Sequence, residues 1–494
     1  MASCLNCDIW AWIDSLPPPS QWRKDSMAIS ICSSDSSLAT LNVTVAKIPS
    51  STSIFFSMNA KFSLPVSLWT SKYLQIQSNS SKLLDEEAVY NLLQNCIQDV
   101  LKYGPSKNIY VPRIPKINST TSLKCIFNLS FLTLAYLICI YEAPEDIRYN
   151  CLHALMDQLT TTQSREGAKV LMRLLGSNTE EQWMRSLNLA ITNWNLERRA
   201  ANRQLNAPSP LFSHAHSTFG LWKVQLYCPI IAMEVENSSG STDGQLQFSL
   251  NYHQLEGVIQ FNYKIIIQDK WADVQLSIDN IRLDVVGLLN ETYMNQRGAG
   301  ESEKHFPSRI SLQLTPTPQT DILSVSVSKS SENPKREIEV ERSMEGSFQP
   351  SNPYLGFKVS AGEAVTSVLK PWKFEESARG DSGNLNWFLH DSGSGREVFS
   401  SRPSMAALFQ PKAWFRNRYT SAYRPFTRQG GVVFAGDEYG ESVCWKVDKC
   451  AIGKRMEWEI KGCIWLTYWP NRYKTFYNET RRAEFRETLC LTVA

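Results

Sequence analysis

The spacing of apolar residues differs between two long parts of the 494-residue chain, and this difference constrains the fold more than any other feature. Within 81–205 apolar residues recur every three or four positions, as Trp183, Leu187 and Trp194 do, which is the period of an amphipathic helix. From 217 onward they alternate with polar residues, which is typical of strands with one solvated face. The sequence therefore predicts a helical block that is followed by antiparallel β structure.

Alternation also marks both ends of the chain. The stretch "TLNVTVAKI" places Leu41 and Val43 on one face, so the segment 27–80 is predicted to be rich in strands. Near the C-terminus, "RMEWEIKGCIWLTYW" places Met456 and Trp458 on one face and charged residues on the other. Short strands between loops of Gly, Ser and Asn indicate a β-sandwich at this end.

The predicted fold class is therefore α+β, with a helical block and β-rich regions that include a C-terminal antiparallel β-sandwich. A chain of this length is too long for one compact core, so several domains are expected. The predicted segments are an N-terminal Trp- and Pro-containing segment at 1–26, a β-rich segment at 27–80, a helical domain at 81–205, an antiparallel β region at 217–293, a linker at 294–307 and a sandwich-like domain at 308–494.

Two apolar segments have alternative interpretations. The uncharged run at 125–141 has 17 residues, the lower limit for a membrane span, but Asn128 and Ser130 within it favour a helix buried inside the helical block. The segment 8–19 carries two tryptophans before a proline block. It is equally consistent with a docking segment for a partner or membrane and with a segment that packs back on the body.

The N-terminus and the cysteines indicate the compartment. The first residues carry acids and no basic region, unlike a secretory signal, so the chain is predicted to be cytoplasmic and not secreted, with peripheral membrane association as an alternative. Twelve cysteines are scattered along the chain, as is typical of reduced thiols. Cys4 and Cys7 form one CxxC without a second pair nearby, which is insufficient for a zinc site.

The strongest candidate for binding is the stretch "KAWFRNRYTSAYRPFTR" at 412–428, which holds five cations, five aromatics and no acid. Its side chains could hold phosphate or carboxylate groups or rest against lipid headgroups. The alternative is structural, because arginines also form hydrogen bonds to loop carbonyls. Arg481 and Arg482, farther along the chain, could have either role. The candidate residues for binding an anion or partner are Lys412, Trp414, Arg416, Arg418, Tyr419, Tyr423, Arg424 and Arg428.

Three other constellations could carry chemistry, and each has a simpler interpretation. The acids of 437–441 could form a paired-carboxylate site, but the glycines around them favour a hairpin. His390, Asp391 and Ser392 are neighbours in sequence, whereas members of a catalytic triad come from separate elements. His214 and His216 could ligate a metal, but no third ligand is evident. No catalytic, cofactor-binding or metal-binding residue, and no cofactor, is predicted.

Three long phrases of the sequence resemble a family of uncharacterised plant proteins of unknown function. They are "LEGVIQFNYKIIIQDKWADVQLSIDNIRLDVV" at 255–286, "AYRPFTRQGGVVFAGDEYGESVCWKVDK" at 422–449 and "IWLTYWPNRYKTFYNETRRAEFRETL" at 464–489. The resemblance covers most of the chain from the helical block onward. It implies a plant source and an intracellular protein, and it implies no catalytic or binding residue.

These observations predict a non-catalytic interaction or scaffold protein of the plant cell with protein partners, and they do not indicate its oligomeric state. One alternative is a peripheral membrane or anionic-ligand binding protein that uses 412–428 against an anionic surface. Another is an unrecognised hydrolase at the acids of 437–441. A net charge of only +3 argues against a nucleic-acid partner, which would require a broad basic field.

Overall fold

The structure is a computed structural model of the full chain. It describes residues 8–34, 38–49, 51–62, 64–76, 82–106, 113–117, 119–139, 143–160, 162–201, 211–238, 240, 243–296, 303–317, 319–327, 336–342, 363–369, 372–389, 432–435, 441–468 and 477–493. Helices and extensive antiparallel sheets occur together in these ranges, which confirms the predicted α+β fold class.

The helices form one block with two short outliers. Helix α2 begins at an Asp85 cap, whose side chain accepts a hydrogen bond from the Ala88 N–H, and Glu86 and Glu87 follow in its first turn. Helices α2 to α6 lie within the predicted helical segment. The described helices are α1 (Ile9–Ser15), α2 (Glu86–Leu101), α3 (Thr120–Cys139), α4 (Glu145–Thr160), α5 (Thr162–Leu175), α6 (Ser177–Ala200), α7 (Gly244–Asn251) and α8 (Glu291–Gln296).

Helix α3 is the core of the helical block. Every residue from 126 to 139 is buried, because α2, α4 and α5 surround the helix. By length and composition, α3 could cross a membrane, and it is the one such helix in the described ranges. Its burial on all sides by other helices supports the interpretation of 125–141 as a buried helix, although residues 140 and 141 lie outside the described residues.

The N-terminal segment 8–19 packs back on the body. Ile9 and Ile13 of α1 are buried, and the ring of Trp10 lies 4.8 Å from that of Phe127 on α3. The backbone N–H of Trp10 donates to Asn128 Oδ1 at 3.1 Å. The polar Asn128 inside the apolar run is therefore explained by its contact with α1, since a buried amide requires hydrogen-bond partners.

The strands assemble into three larger sheets and one separate pair. The first sheet has the order β1-β2-β3-β4, with β5 beside β3, and one face packs on the helical block. The described strands are β1 (Ser26–Ser33), β2 (Thr40–Lys47), β3 (Ser53–Lys61), β4 (Pro65–Thr70), β5 (Leu74–Gln75), β6 (Phe212–Thr218), β7 (Leu221–Pro229), β8 (Glu234–Ser238), β9 (His253–Ile267), β10 (Trp271–Gly287), β11 (Phe306–Thr317), β12 (Ile322–Val327), β13 (Arg336–Arg342), β14 (Glu363–Leu369), β15 (Trp372–Arg379), β16 (Ser382–Leu389), β17 (Val432–Ala435), β18 (Ser442–Asp448), β19 (Arg455–Tyr468) and β20 (Glu479–Thr492).

Two of the sheets pack face to face as a β-sandwich. One has the order β12-β18-β10-β9-β7-β6, with β17 beside β10, and the other has the order β15-β16-β11-β19-β20-β8. Trp458 of β19 joins them, because its ring lies 5.6 Å from Trp222 and 5.8 Å from Trp445 in the opposite sheet. Both sheets contain strands from 217–293 and from 308–494, so these two ranges build one shared core.

Two ion pairs and one buried contact between a histidine and a carboxylate join the helical block to the sandwich, and we call these three contacts the ionic seam. Glu180 of α6 lies 2.7 Å from His214 Nε2 of β6, and both side chains are buried. Arg185 of α6 donates to Glu256 of β9 at 2.6 Å. A third pair joins α5 to β20 through Arg165 and Glu487. Because a charge left alone in such a place is strongly destabilising, each pair fixes the helices to the sheet.

We expect Arg185→Ala to destabilise the protein by about 3–5 kcal/mol, because the buried Glu256 carboxylate would lose its ionic partner. The measurement is the free energy of unfolding from urea titration. The matched control is Lys102→Ala, which removes an exposed ion pair with Asp99 and is expected to cost less than about 1 kcal/mol. Equal and small losses of unfolding free energy in the two variants would show that the seam does not hold the helical block on the sandwich.

A second test concerns the close approach of α5 to α3. Gly167 of α5 lies so near Cys125 that an added Cβ would meet the Cys125 Cα at 3.2 Å and its Cβ at a shorter distance. Although alanine favours a helix over glycine by about 1 kcal/mol, we expect Gly167→Ala to lower the free energy of unfolding by about 1–3 kcal/mol. Gly244→Ala is the control, because no atom lies within 4 Å of the added Cβ. A stabilised Gly167→Ala variant would contradict this packing.

Candidate functional site

A cleft of about 610 Å³ opens where α5 meets the ends of β6 and β20. Helix α5 forms one wall through Lys169 and Arg173, and β6 contributes His216. The start of β19 adds Arg455, so residues that lie far apart in sequence line one space. The volume is in the range of small-molecule sites, and the position between two parts of the fold is typical of them.

The turn between β6 and β7 fixes one rim of the cleft. Thr218 pairs with Leu221, so Phe219 and Gly220 form the tip of a tight hairpin. Gly220 has a φ of +77°, a left-handed conformation that glycine adopts without steric cost. Tyr263 fixes this tip through two hydrogen bonds. Its N–H donates to the Gly220 carbonyl at 3.0 Å, and its hydroxyl donates to the Thr218 carbonyl at 3.2 Å.

The floor of the cleft is the corner where the two sheets of the sandwich meet. The backbone N–H of Cys490 on β20 donates to Ser217 Oγ on β6 at 3.0 Å. The Cys490 carbonyl accepts a hydrogen bond from Trp222 Nε1, also at 3.0 Å. Because both backbone groups of Cys490 are satisfied across the corner, β20 and β6 are held in a fixed relation beneath α5.

Cations outnumber acids in this cleft. Its lining holds Lys169, Arg173 and Arg455 against the single acid Glu166. Lys169 is paired with Glu166 at 2.9 Å, and Arg455 donates to Cys490 Sγ at 3.2 Å. Within the described ranges, Arg173 has no carboxylate partner.

The contacts of Arg173 are to neutral groups. Its Nε donates to the Lys169 carbonyl at 3.3 Å, and its Nη1 lies 3.4 Å from His216 Nδ1. Partial burial lowers the pKa of His216 below its ordinary value, and the charge of Arg173 lowers it further. The ring is therefore neutral at neutral pH, and its Nδ1 accepts from Arg173. A guanidinium with neutral partners retains donors for an oxyanion.

The predicted binding stretch 412–428 lies wholly outside the described residues, so its role stays a prediction. The two neighbouring arginines that are described have structural contacts. Arg481 is buried and donates to the Ile230 carbonyl at 2.6 Å. Arg482 is paired with Glu234 at 2.6 Å. The alternative interpretation, in which arginines tie down carbonyls and acids, therefore describes these two positions.

The two histidines that were considered as metal ligands have different partners in the structure. His214 belongs to the ionic seam, whereas His216 faces Arg173 in the cleft. In the described part of the chain, no group of three or more His, Cys, Asp or Glu side chains is placed to hold a metal ion.

Of the acids of 437–441, Glu441 is described, and it is only 2% exposed. Its Oε1 accepts a hydrogen bond from Trp387 Nε1 at 3.2 Å, inside the sandwich core. The rest of that acidic stretch lies outside the described residues, as does the stretch 390–392.

Sequence reasoning missed most of the cleft. Lys169 and Arg173 are spaced by four residues in α5, and this spacing could have indicated a basic face of one helix. Arg455 carries no local signal, because it belongs to the cleft only through the pairing of β19 with β20. His216 was noticed in the sequence, but in the structure its contact is with the cation Arg173.

No family model matches the chain, and no curated protein matches it either. Among solved structures, the chain is similar to Clostridium perfringens delta-toxin, with 7% identity, coverage of 57% of this chain and 100% of the toxin, and a TM-score of 0.23. It is also similar to the Clostridium perfringens NetB toxin in the membrane inserted form, with 9% identity, coverage of 57% and 99%, and a TM-score of 0.23. Scores and identities this low indicate neither a shared fold nor a shared function.

The electrostatics of the cleft can be tested without a ligand. We expect the pKa of His216, measured by NMR of ¹⁵N-histidine-labelled protein, to lie below 6.5. Arg173→Gln is expected to raise this pKa, because a positive charge next to the ring would be removed. Lys102→Gln, a change at an exposed ion pair in α2, is expected to leave it unchanged. A His216 pKa that does not respond to Arg173→Gln would contradict the contact between the two side chains.

Proposed function

We propose that the protein is a non-catalytic, intracellular interaction protein of the plant cell that binds an anionic group in the cleft between α5 and the sandwich. The observation that carries this proposal is the Arg173 guanidinium, which faces the cleft and has only neutral partners among the described residues. Lys169 and Arg455 add positive charge around the same space. The plant source and the intracellular location rest on the resemblance and on the sequence.

The chemistry of the cleft favours a phosphate or sulfate group as the ligand. The planar guanidinium of Arg173 can donate two parallel hydrogen bonds to such a group, and the Lys169 ammonium adds a point charge. Hydroxyls of Ser217 and Thr488 also line the cleft and can donate to further oxygens. The group can belong to a small molecule or to a protein partner, since both present the same oxygens.

The buried acid Glu441 supports a binding function over the hydrolase alternative. A general acid or base must reach the substrate, but this carboxylate lies inside the sandwich and accepts a hydrogen bond from Trp387. The cleft itself places no carboxylate beside Arg173, and its acid Glu166 is engaged by Lys169. The cleft therefore offers groups that hold an anion and no described pair that would act as acid and base.

The test is isothermal titration calorimetry of the full chain with inorganic phosphate and, in a second arm, with a pool of phosphoserine peptides. We expect phosphate to bind, and Arg173→Gln to weaken binding about tenfold or more, because a charge-assisted hydrogen bond is lost. Tighter binding of the peptides than of phosphate would identify a protein as the source of the group.

The matched control for this experiment is Lys102→Gln, which removes a surface cation far from the cleft in sequence and is expected to bind as the wild type does. Absence of phosphate binding in the wild type, or equal affinities of wild type and Arg173→Gln, would refute the proposed function.

A further inference from the structure

Four neighbouring strands of the seven-stranded sheet have ends that form one row beside the cleft. Ile267 of β9 pairs with Ala272 of β10, which pairs with Val447 of β18, which in turn pairs with Ile322 of β12. Tyr263, which supports the β6–β7 tip, lies four residues before Ile267 on the same strand, a span of about 13 Å. The cleft, this row of strand ends and the β6–β7 tip therefore share one end of the sandwich.

Large apolar side chains are exposed at this end. Phe219 at the hairpin tip is 100% exposed, and Leu323 beside the row is 54% exposed. Ile266 and Ile267, next to the β9–β10 turn, are 46% and 51% exposed. A single exposed apolar residue is ordinary, but four at one end of a sheet indicate a contact surface.

Lysines occur at the same end of the sheet as these apolar side chains. Lys264 and Lys270 flank the exposed isoleucines on β9 and in the following turn, and Lys446 and Lys449 lie on and after β18. All four are exposed. Lys454 and Arg455 follow in the next turn and at the start of β19. These cations outnumber the acids of the same end, which are Asp269, Asp273, Asp321 and Asp448.

An aromatic ring lies at the same end of the sheet, next to the β9–β10 turn. Trp271, the first residue of β10, is half-buried, and Lys446 Nζ lies 4.9 Å from its ring centroid. Its Nε1 donates to Asp273 Oδ1 at 3.1 Å. Such a ring, with one apolar face and one satisfied polar atom, is the kind of side chain that is enriched at the interface of membrane and water.

We infer that this end of the sandwich docks on an anionic membrane surface. Phe219, Ile266, Ile267 and Leu323 enter the headgroup region, while the lysines of the same end contact lipid phosphates. We call these eight residues, the four apolar side chains together with Lys264, Lys270, Lys446 and Lys449, the docking end.

A membrane fits the docking end better than a protein does, for two reasons. The apolar side chains lie at three separate places, which are the β6–β7 tip, the end of β9 and the edge strand β12, and lysines lie at the same end of the sheet. Cores of protein–protein interfaces are depleted in lysine, whereas polybasic surfaces with a few inserted apolar side chains are characteristic of peripheral membrane binding. The inference goes beyond the proposed function, because docking does not require a ligand in the cleft.

The test is co-sedimentation of the full chain with vesicles of phosphatidylcholine alone and of phosphatidylcholine mixed with phosphatidylserine. We expect binding to the mixed vesicles only, and we expect it to fall as salt is raised, since screening weakens surface electrostatics. The apolar variant combines Phe219→Ser, Ile267→Ser and Leu323→Ser. The charge variant combines Lys264→Glu, Lys270→Glu and Lys446→Glu. Each is expected to reduce binding at least tenfold.

Matched controls separate this inference from a general loss of fold and from the proposed function. Leu64→Ser with Val66→Ser removes exposed apolar side chains of the first sheet, which are 72% and 49% exposed, and is expected to bind vesicles as the wild type does. Arg173→Gln is expected to weaken phosphate binding and to keep vesicle binding. All substituted positions of the docking end are exposed, so unchanged melting temperatures are expected.

Three results would overturn membrane docking. Equal sedimentation with neutral and mixed vesicles would exclude recognition of an anionic surface. Unchanged binding of both the apolar and the charge variant would place the contact elsewhere on the chain. Self-association of the wild type that both variants abolish, without vesicle binding, would assign the docking end to a second copy of this chain.

Discussion

The arrangement of the molecule depends on buried ion pairs between helices and sheet. The hydrophobic effect is non-directional, whereas a hydrogen-bonded or ionic pair requires one particular partner. The pairs Glu180–His214, Arg185–Glu256 and Arg165–Glu487 fix the register of the helical block on the sandwich, since a buried polar or charged group that loses its partner is destabilising. They also place α5, whose Arg165 is part of the seam, beside β6 and β20.

The cleft follows from this placement. Helix α5 carries Arg165 to the seam and Arg173 to the cleft, two turns apart on one rigid element. Strand β6 likewise carries His214 to the seam and His216 to the cleft, two residues apart and therefore on one face of the strand. The groups that hold the two parts of the molecule together thus also set the distance between the walls of the cleft.

The sequence predicted the parts of this structure that local periodicity encodes. Met456 and Trp458 alternate with charged residues, and both are buried in the sandwich core as that pattern indicated. The mixing of strands from 217–293 and 308–494 in both sheets could not be predicted, because alternation shows that a strand has two faces but not which strand it pairs with. The seam and Arg455 could not be predicted for the same reason, since they depend on contacts between different elements, and the three seam pairs join residues 34, 71 and 322 positions apart.

We propose that one end of the sandwich, with its cleft, is the surface that meets a ligand and a membrane. Hydrogen–deuterium exchange of the full chain, with and without phosphatidylserine-containing vesicles and inorganic phosphate, tests it most directly. We expect slower exchange in the turns at 218–220, 268–270 and 449–454, and little change in 64–76 of the first sheet. Protection confined to 64–76, or no change in the three turns, would contradict it.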